Sequence, residues 1–215
     1  GMLLVFLFAC DPAEDSATPP ACVAALPENN PENTISGYRH QAVESSLPWN
    51  GEARSFNVNV WYPTDEPAST SARYINTFDD PDSRVNSPVR EDDCLRPLVV
   101  YSHGSQGWGG NNAPMLRTFV ANGWVAAAPD HTDNTLLDDD DEKPVIYSLI
   151  RAADVIATLD WFAGLPTDDA LYGRVDTSRV VVLRHSYAAQ TARILSGVGL
   201  NADGADAACA GGKCT

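Results

Sequence analysis

The stretch from Arg179 to Gln190, RVVVLRHSYAAQ, constrains the fold of this chain more than any other. Val180, Val181 and Val182 form an uninterrupted β-branched run, the pattern of a strand buried on both faces of a parallel sheet. Ala188 to Arg193 suits a helix, so His185-Ser186-Tyr187 must turn the chain tightly between the two. The same alternation runs upstream. Leu98 to Tyr101 is a short apolar run that fits a buried strand. Pro114 sits where the first turn of a helix accepts proline, and Met115, Leu116, Phe119 and Val120 make its apolar face. Gly123 suits the stop. Trp124 to Ala128 fits the next strand. Val145 to Ala163 fits a long helix ended by Gly164 and Pro166. Strand–helix alternation of this kind implies a mostly parallel sheet covered by helices on both faces, an α/β fold. No internal repeat is present.

The earlier chain is organised differently. Phe56, Val58 and Val60 alternate with Asn57, Asn59 and Trp61, which predicts a half-buried strand ending at Pro63. Regular structure is expected to begin near Tyr38. Asp65 to Asp93 is rich in Asp, Ser, Pro and Asn and reads as a long surface excursion. Residues 11–35 are rich in Pro, Ala, Glu and Asn and read as an extended tether. Residues 1–10 hold an apolar run, Met2 to Ala9, too short to span a bilayer but suited to the core of a secretory signal. Leu7-Phe8-Ala9-Cys10 resembles the lipobox of bacterial lipoproteins, which implies lipidation at Cys10. A basic segment ahead of the run is missing, and a chance apolar N-terminus is the competing reading.

At 215 residues the chain can bury a substantial core, and 44% hydrophobic with 20% charged residues suits a globular domain. The net charge of −15 argues against a nucleic-acid surface and against adhesion to anionic lipid through protein charge. Beside Cys10 stand Cys22, Cys94, Cys209 and Cys214. With a secretory signal, two disulfides are expected. Cys209–Cys214 would close a short loop and leave Cys22–Cys94, but the sequence does not fix the pairing. No CxxC or His/Cys cluster points to zinc, and no metal or other cofactor is expected. The acidic run Asp138 to Glu142 lacks the spacing of a calcium loop and reads as a solvated loop.

A strand, a serine on a tight turn and a helix are also the layout of a nucleophile elbow. Nucleophilic serine catalysis needs a base, a carboxylate to orient it, and two backbone N–H groups aimed at the developing oxyanion. Ser186 fits the nucleophile, and Tyr187 would supply one N–H. The loop Ser102-His103-Gly104-Ser105-Gln106-Gly107-Trp108-Gly109-Gly110 follows a predicted strand, and its glycines admit close backbone approach. Ser105 is the candidate second donor. Both segments fall at C-terminal ends of strands, where open α/β sheets carry their sites.

In these features the chain resembles the α/β-hydrolase superfamily, and within it lipoprotein-type dienelactone hydrolases and esterases like platelet-activating-factor acetylhydrolase. The resemblance rests on VNVWYPT (58–64), LVVYSHG (98–104), APDH (128–131) with Asn134-Thr135, RAAD (151–154) and His185-Ser186-Tyr187, in family order from about Tyr38 onward. It implies a three-layer α/β-hydrolase domain over residues 36–215 and serine ester hydrolysis through an acyl-enzyme. Ser186 would be the nucleophile, with Ser105 and Tyr187 as oxyanion donors. Expected partners are an ester substrate, small or lipid-like, and a membrane reached through the lipid anchor, in a bacterial envelope or secreted setting.

The chain departs from that pattern. Arg184 and Ala188 stand where small residues, usually glycine, flank the nucleophile. Arg184 is open to two readings, an altered site or a tolerated variant. The superfamily places its acid and histidine after the serine. Asp203 and Asp206 follow Ser186 here, but no histidine does. Of the four histidines, His185 and His103 read as packing and loop-ordering residues, His131 as structural, and His40 as uninformative. The expectation is an N-terminal portion of an esterase lacking its later strands, inactive alone and poorly soluble through an exposed sheet edge. The alternative is a non-catalytic, lipid-anchored relative with a binding or structural role.

Overall fold

The computed structural model describes residues 35–48, 50–139 and 146–197. The signal segment, nearly all of the tether, Cys10, Cys22, Asp203, Asp206, Cys209 and Cys214 lie outside the described residues. Seven strands form one sheet: β1 (Ser36–Ser46), β2 (Ala53–Tyr62), β3 (Ser71–Tyr74), β4 (Phe78–Val85), β5 (Arg96–Ser102), β6 (Val125–Asp130) and β7 (Val175–Arg184). Helices α1 (Ala113–Ala121), α2 (Tyr147–Ala163) and α3 (Ala188–Leu195), with a short 3-10 helix at Gly109–Asn112, complete the described elements. The strand order is β3-β4-β1-β2-β6-β5-β7. The pairings set β1, β4, β5, β6 and β7 in one direction and β2 and β3 in the other. The sheet is therefore mixed but mostly parallel.

The apolar runs behave as a doubly covered sheet requires. Along β5 and β7, Leu98, Val100, Val180 and Val182 pack with Val155 and Phe162 of α2 on one face. Their neighbours Val99, Tyr101, Val181 and Leu183 pack with Leu116, Phe119 and Val120 of α1 on the other. Both faces of these strands are buried, so the period-2 alternation expected of a one-sided strand is absent. The turns from β5 toward α1 and from β7 into α3 fall at the same sheet end, because β5 and β7 are parallel. That shared end brings the two candidate site segments together.

The excursion read into residues 65–93 is corrected by the structure, which folds part of it into the hairpin β3–β4 at the sheet edge. The signal was hidden because the inward positions of β4 are polar: Asp80 and Ser83 are buried. Arg117 of α1 donates to Asp80, and Ser83 Oγ and Tyr74 Oη bond the same carboxylate at 2.9 and 2.7 Å. Trp61 Nε1 donates to Ser83 Oγ at 3.0 Å. A paired, fully hydrogen-bonded carboxylate here occupies a place that a hydrophobic pattern would assign to an aliphatic side chain. β1 begins at Ser36, close to the expected start at Tyr38. Cys94 is disulfide-bonded.

Candidate active site

Ser186 is exposed and has φ +53°, a left-handed conformation that costs a residue with a Cβ about 1–2 kcal/mol. The turn around it is closed by a run of backbone bonds. His185 N–H extends the ladder to Ser102 O at 3.2 Å, Ala188 N–H bonds His185 O at 3.2 Å, and Ala189 N–H bonds Ser186 O at 2.9 Å. Ala188 is fully buried beneath the turn, so a small residue is needed at that place. Strain at a single exposed serine, held by regular bonds on both sides, is how a side chain is lifted off the end of a sheet. Among the described residues the Ser186 hydroxyl has no hydrogen-bond partner. Among the described residues, Ser186 lines none of three cavities of about 220, 590 and 530 Å³, the second of which includes Trp108 and Thr135.

The loop after β5 faces this serine. A Cβ built on Gly104 would lie 3.3 Å from Ser186 Cβ and 3.0 Å from His185 Nδ1. Glycine is what lets the two segments approach. Gly104 O accepts from His103 Nδ1 at 2.7 Å and from Gly107 N–H at 3.1 Å. In a trans peptide the next N–H points opposite to the carbonyl, so fixing Gly104 O also fixes the direction of Ser105 N–H. That N–H has no acceptor among the described residues. Ser105 Oγ accepts from Asn134 Nδ2 at 3.3 Å. Tyr187, which follows the serine, packs against Tyr147 and Ile150, and its hydroxyl accepts from Ser148 Oγ at 3.1 Å.

Beneath the loop lies a serine–histidine–aspartate chain, separate from Ser186, that the sequence did not reveal. Ser102 Oγ and His131 Nε2 are 2.8 Å apart, and His131 Nδ1 is 2.9 Å from Asp154 Oδ2. Arg54 clamps the same carboxylate, Nε to Oδ1 at 2.5 Å and one terminal nitrogen to Oδ2 at 3.0 Å. Ser102, His131 and Asp154 are each 0% exposed. A hydroxyl sealed from solvent cannot meet an ester, so this chain is a structural network despite its triad connectivity. Arg54 was the missed member. It stands two residues before Phe56 on β2, an inward position, and that register was the available signal.

Both buried imidazoles are held neutral. Burial, then the charge of neighbouring groups (His131 followed by Arg151 for His103, Arg151 followed by Arg54 for His131), pushes both imidazoles well below the ordinary histidine value. The bonding agrees for His103: Nδ1 donates to Gly104 O while Nε2 accepts His131 N–H at 3.2 Å. Burial pushes the Asp154 carboxyl above its usual range, with Arg54 opposing. A depressed histidine pKa means that the unfolded chain takes up protons that the native state refuses. Stability is therefore expected to be full above the unfolded value of 6.5 and to fall as pH drops below it. The slope approaches about 1.4 kcal/mol per pH unit for each histidine. Urea unfolding at pH 7.5, 6.5 and 5.5 measures this, and equal free energies at 7.5 and 5.5 would contradict it.

The remaining sequence candidates fall as follows. Arg184 ends β7 beside Ser102 of β5, and among the described residues its guanidinium has no hydrogen bond or ion pair. His185 is exposed, with its ring against Gly104. His40 Nε2 lies 3.2 Å from Asp130 Oδ2. The acidic run is not simply solvated. Asp138 accepts from Thr135, and Asp139 accepts from Asn134 at 2.9 Å and from Gln106 of the loop at 2.5 Å. Residues 140–142 of that run lie outside the described residues. Among the described residues no helix is long and apolar enough to cross a membrane.

Strand order, the elbow and the facing loop together define an α/β-hydrolase fold. Comparison with solved structures agrees. The chain is similar to a ferulic acid esterase from Streptomyces cinnamoneus, at 24% identity and a TM-score of 0.59, over 81% of this chain and 58% of that one. It also matches an acetyl xylan esterase from Paenibacillus sp. R4 at 16% identity and a TM-score of 0.41, over 74% of this chain and 50% of that one. The chain thus spans less than two thirds of the length of the first and half of the length of the second. No protein-family model and no curated protein matches it.

Proposed function

We propose that the protein hydrolyses carboxylic esters through an acyl-enzyme on Ser186, with Ser105 N–H and Tyr187 N–H binding the oxyanion. The observation that carries this reading is the exposed, left-handed Ser186 set 3.3 Å from the Cβ place of Gly104. Attack by Ser186 Oγ on the ester carbonyl forms the tetrahedral oxyanion, which collapses to the acyl-enzyme with loss of the alcohol. Water then releases the acid. The likeness to the solved ferulic acid esterase supports an ester as the substrate class.

A base must take the Ser186 proton, and His103 and His131 are buried and bonded elsewhere. The base and its carboxylate are assigned to a part of the whole protein outside the described residues. The lipobox-like Leu7 to Cys10 supports attachment of the same protein to a bacterial envelope through lipidated Cys10, where a lipid-like ester would be at hand.

The second reading is a non-catalytic, lipid-anchored relative. It is favoured by Arg184 at the elbow and by the absence of a partner for the Ser186 hydroxyl among the described residues. Rapid mixing of the full-length protein with p-nitrophenyl acetate separates the two. An acyl-enzyme gives a burst of p-nitrophenol equal to the protein concentration, followed by slower turnover. Absence of both burst and turnover would favour the non-catalytic reading.

A further inference from the structure

We infer that Arg151 is the positioning residue that holds the two halves of the oxyanion site to one another, an assignment that rests on the ester-hydrolase reading above. Arg151 lies on α2 with its side chain 0% exposed. One terminal nitrogen donates to the His103 carbonyl and, at 3.2 Å, to Ser102 Oγ. The other donates to Asn134 Oδ1 at 2.6 Å, and Asn134 passes the contact on to Ser105 Oγ at 3.3 Å. The guanidinium carbon also lies 5.5 Å from the centre of the Tyr187 ring, within the range of a cation–π contact. One cation therefore touches the peptide before Gly104 and the residue after the nucleophile, and reaches the side chain of Ser105 through Asn134.

The geometry gives these contacts a consequence. Holding His103 O sets the plane of the His103–Gly104 peptide, and His103 Nδ1 sets the next one through Gly104 O. Two fixed peptide planes leave Ser105 N–H one direction to point. The Tyr187 contact fixes the other donor from the opposite side, because Tyr187 N–H moves with the turn its ring anchors. Hydrogen bonds alone would not explain a cation here. Among the described residues no carboxylate lies within ion-pair distance of Arg151, and its Nε is buried without a partner. A buried, unpaired charge is costly for a purely structural role. Beside an oxyanion site the same charge also favours the anion that develops there.

The test uses the full-length protein and two independent readouts. In Arg151→Met, peptides covering 102–108 and 184–190 are expected to exchange amide hydrogen faster, while peptides of β2 and β6 keep wild-type protection. With p-nitrophenyl acetate, kcat is expected to fall about 10²-fold with KM little changed. Arg151→Lys, which keeps the charge but not the fork, should recover part of both. Uniformly faster exchange, or unchanged exchange in both segments, would overturn the assignment, as would unchanged kcat in an active protein. If the wild type shows no turnover, the ester-hydrolase reading fails, and the exchange pattern still decides whether Arg151 orders the two segments. Should Arg151→Met not fold, Asn134→Ala carries the test. It must loosen 102–108 while leaving 184–190 protected.

Discussion

Ser186→Ala removes ester turnover: kcat is expected to fall by about 10⁵–10⁶-fold, the loss seen when a nucleophile acting as part of a unit is deleted. The exposed hydroxyl makes no hydrogen bond among the described residues, so its removal should leave the melting temperature within a few degrees of the parent. Ser186→Gly is equally inactive but differs in stability. It keeps the φ of +53° without a Cβ and should be about 1 kcal/mol more stable than Ser186→Ala. Activity lost without stability lost identifies a residue held in strain for chemistry. A melting temperature that drops sharply in Ser186→Ala would instead make the serine part of the packing.

Asp154→Ala has the largest effect expected on stability, a loss of about 3–5 kcal/mol in urea unfolding at pH 7.5. The carboxylate is the common partner of Arg54 and His131. Truncation leaves a buried guanidinium with Thr132 O at 2.9 Å and a distant Asp133 at 3.6 Å, and it leaves His131 Nδ1 without its acceptor. Such orphaned polar groups carry their desolvation cost into the native state. Asp154→Asn keeps an acceptor and the volume, so it should cost less than the alanine. A loss under about 1 kcal/mol in Asp154→Ala would mean that the network is more hydrated than its burial implies.

These two sites differ in how legible they were. Val180 to Val182 and Leu98 to Val100 announced buried strands because neither face of the sheet admits a polar side chain there. A strand followed by a glycine-rich loop, and a later strand followed by a serine and a helix, then placed Ser105 and Ser186 at one sheet end. The β3–β4 hairpin was not legible, because Asp80 and Ser83 occupy inward positions and owe their burial to Arg117 and Tyr74, contacts that depend on the fold. The Arg54–Asp154–His131–Ser102 chain escaped for the same reason. Its members come from β2, α2, the end of β6 and β5, and only the assembled sheet joins them. Ser186 could be located from its neighbours, but its backbone strain could not, since a left-handed serine leaves no mark on composition or periodicity.

The central claim is that Ser186 is an activated nucleophile facing an oxyanion site. The most direct measurement is to treat the full-length protein with a fluorophosphonate and locate the adduct by tandem mass spectrometry of its peptides. Stoichiometric phosphonylation of Ser186, with Ser102 and Ser105 unmodified, is the expected result. A protein that remains unlabelled, or that carries the adduct on another serine, would contradict the account.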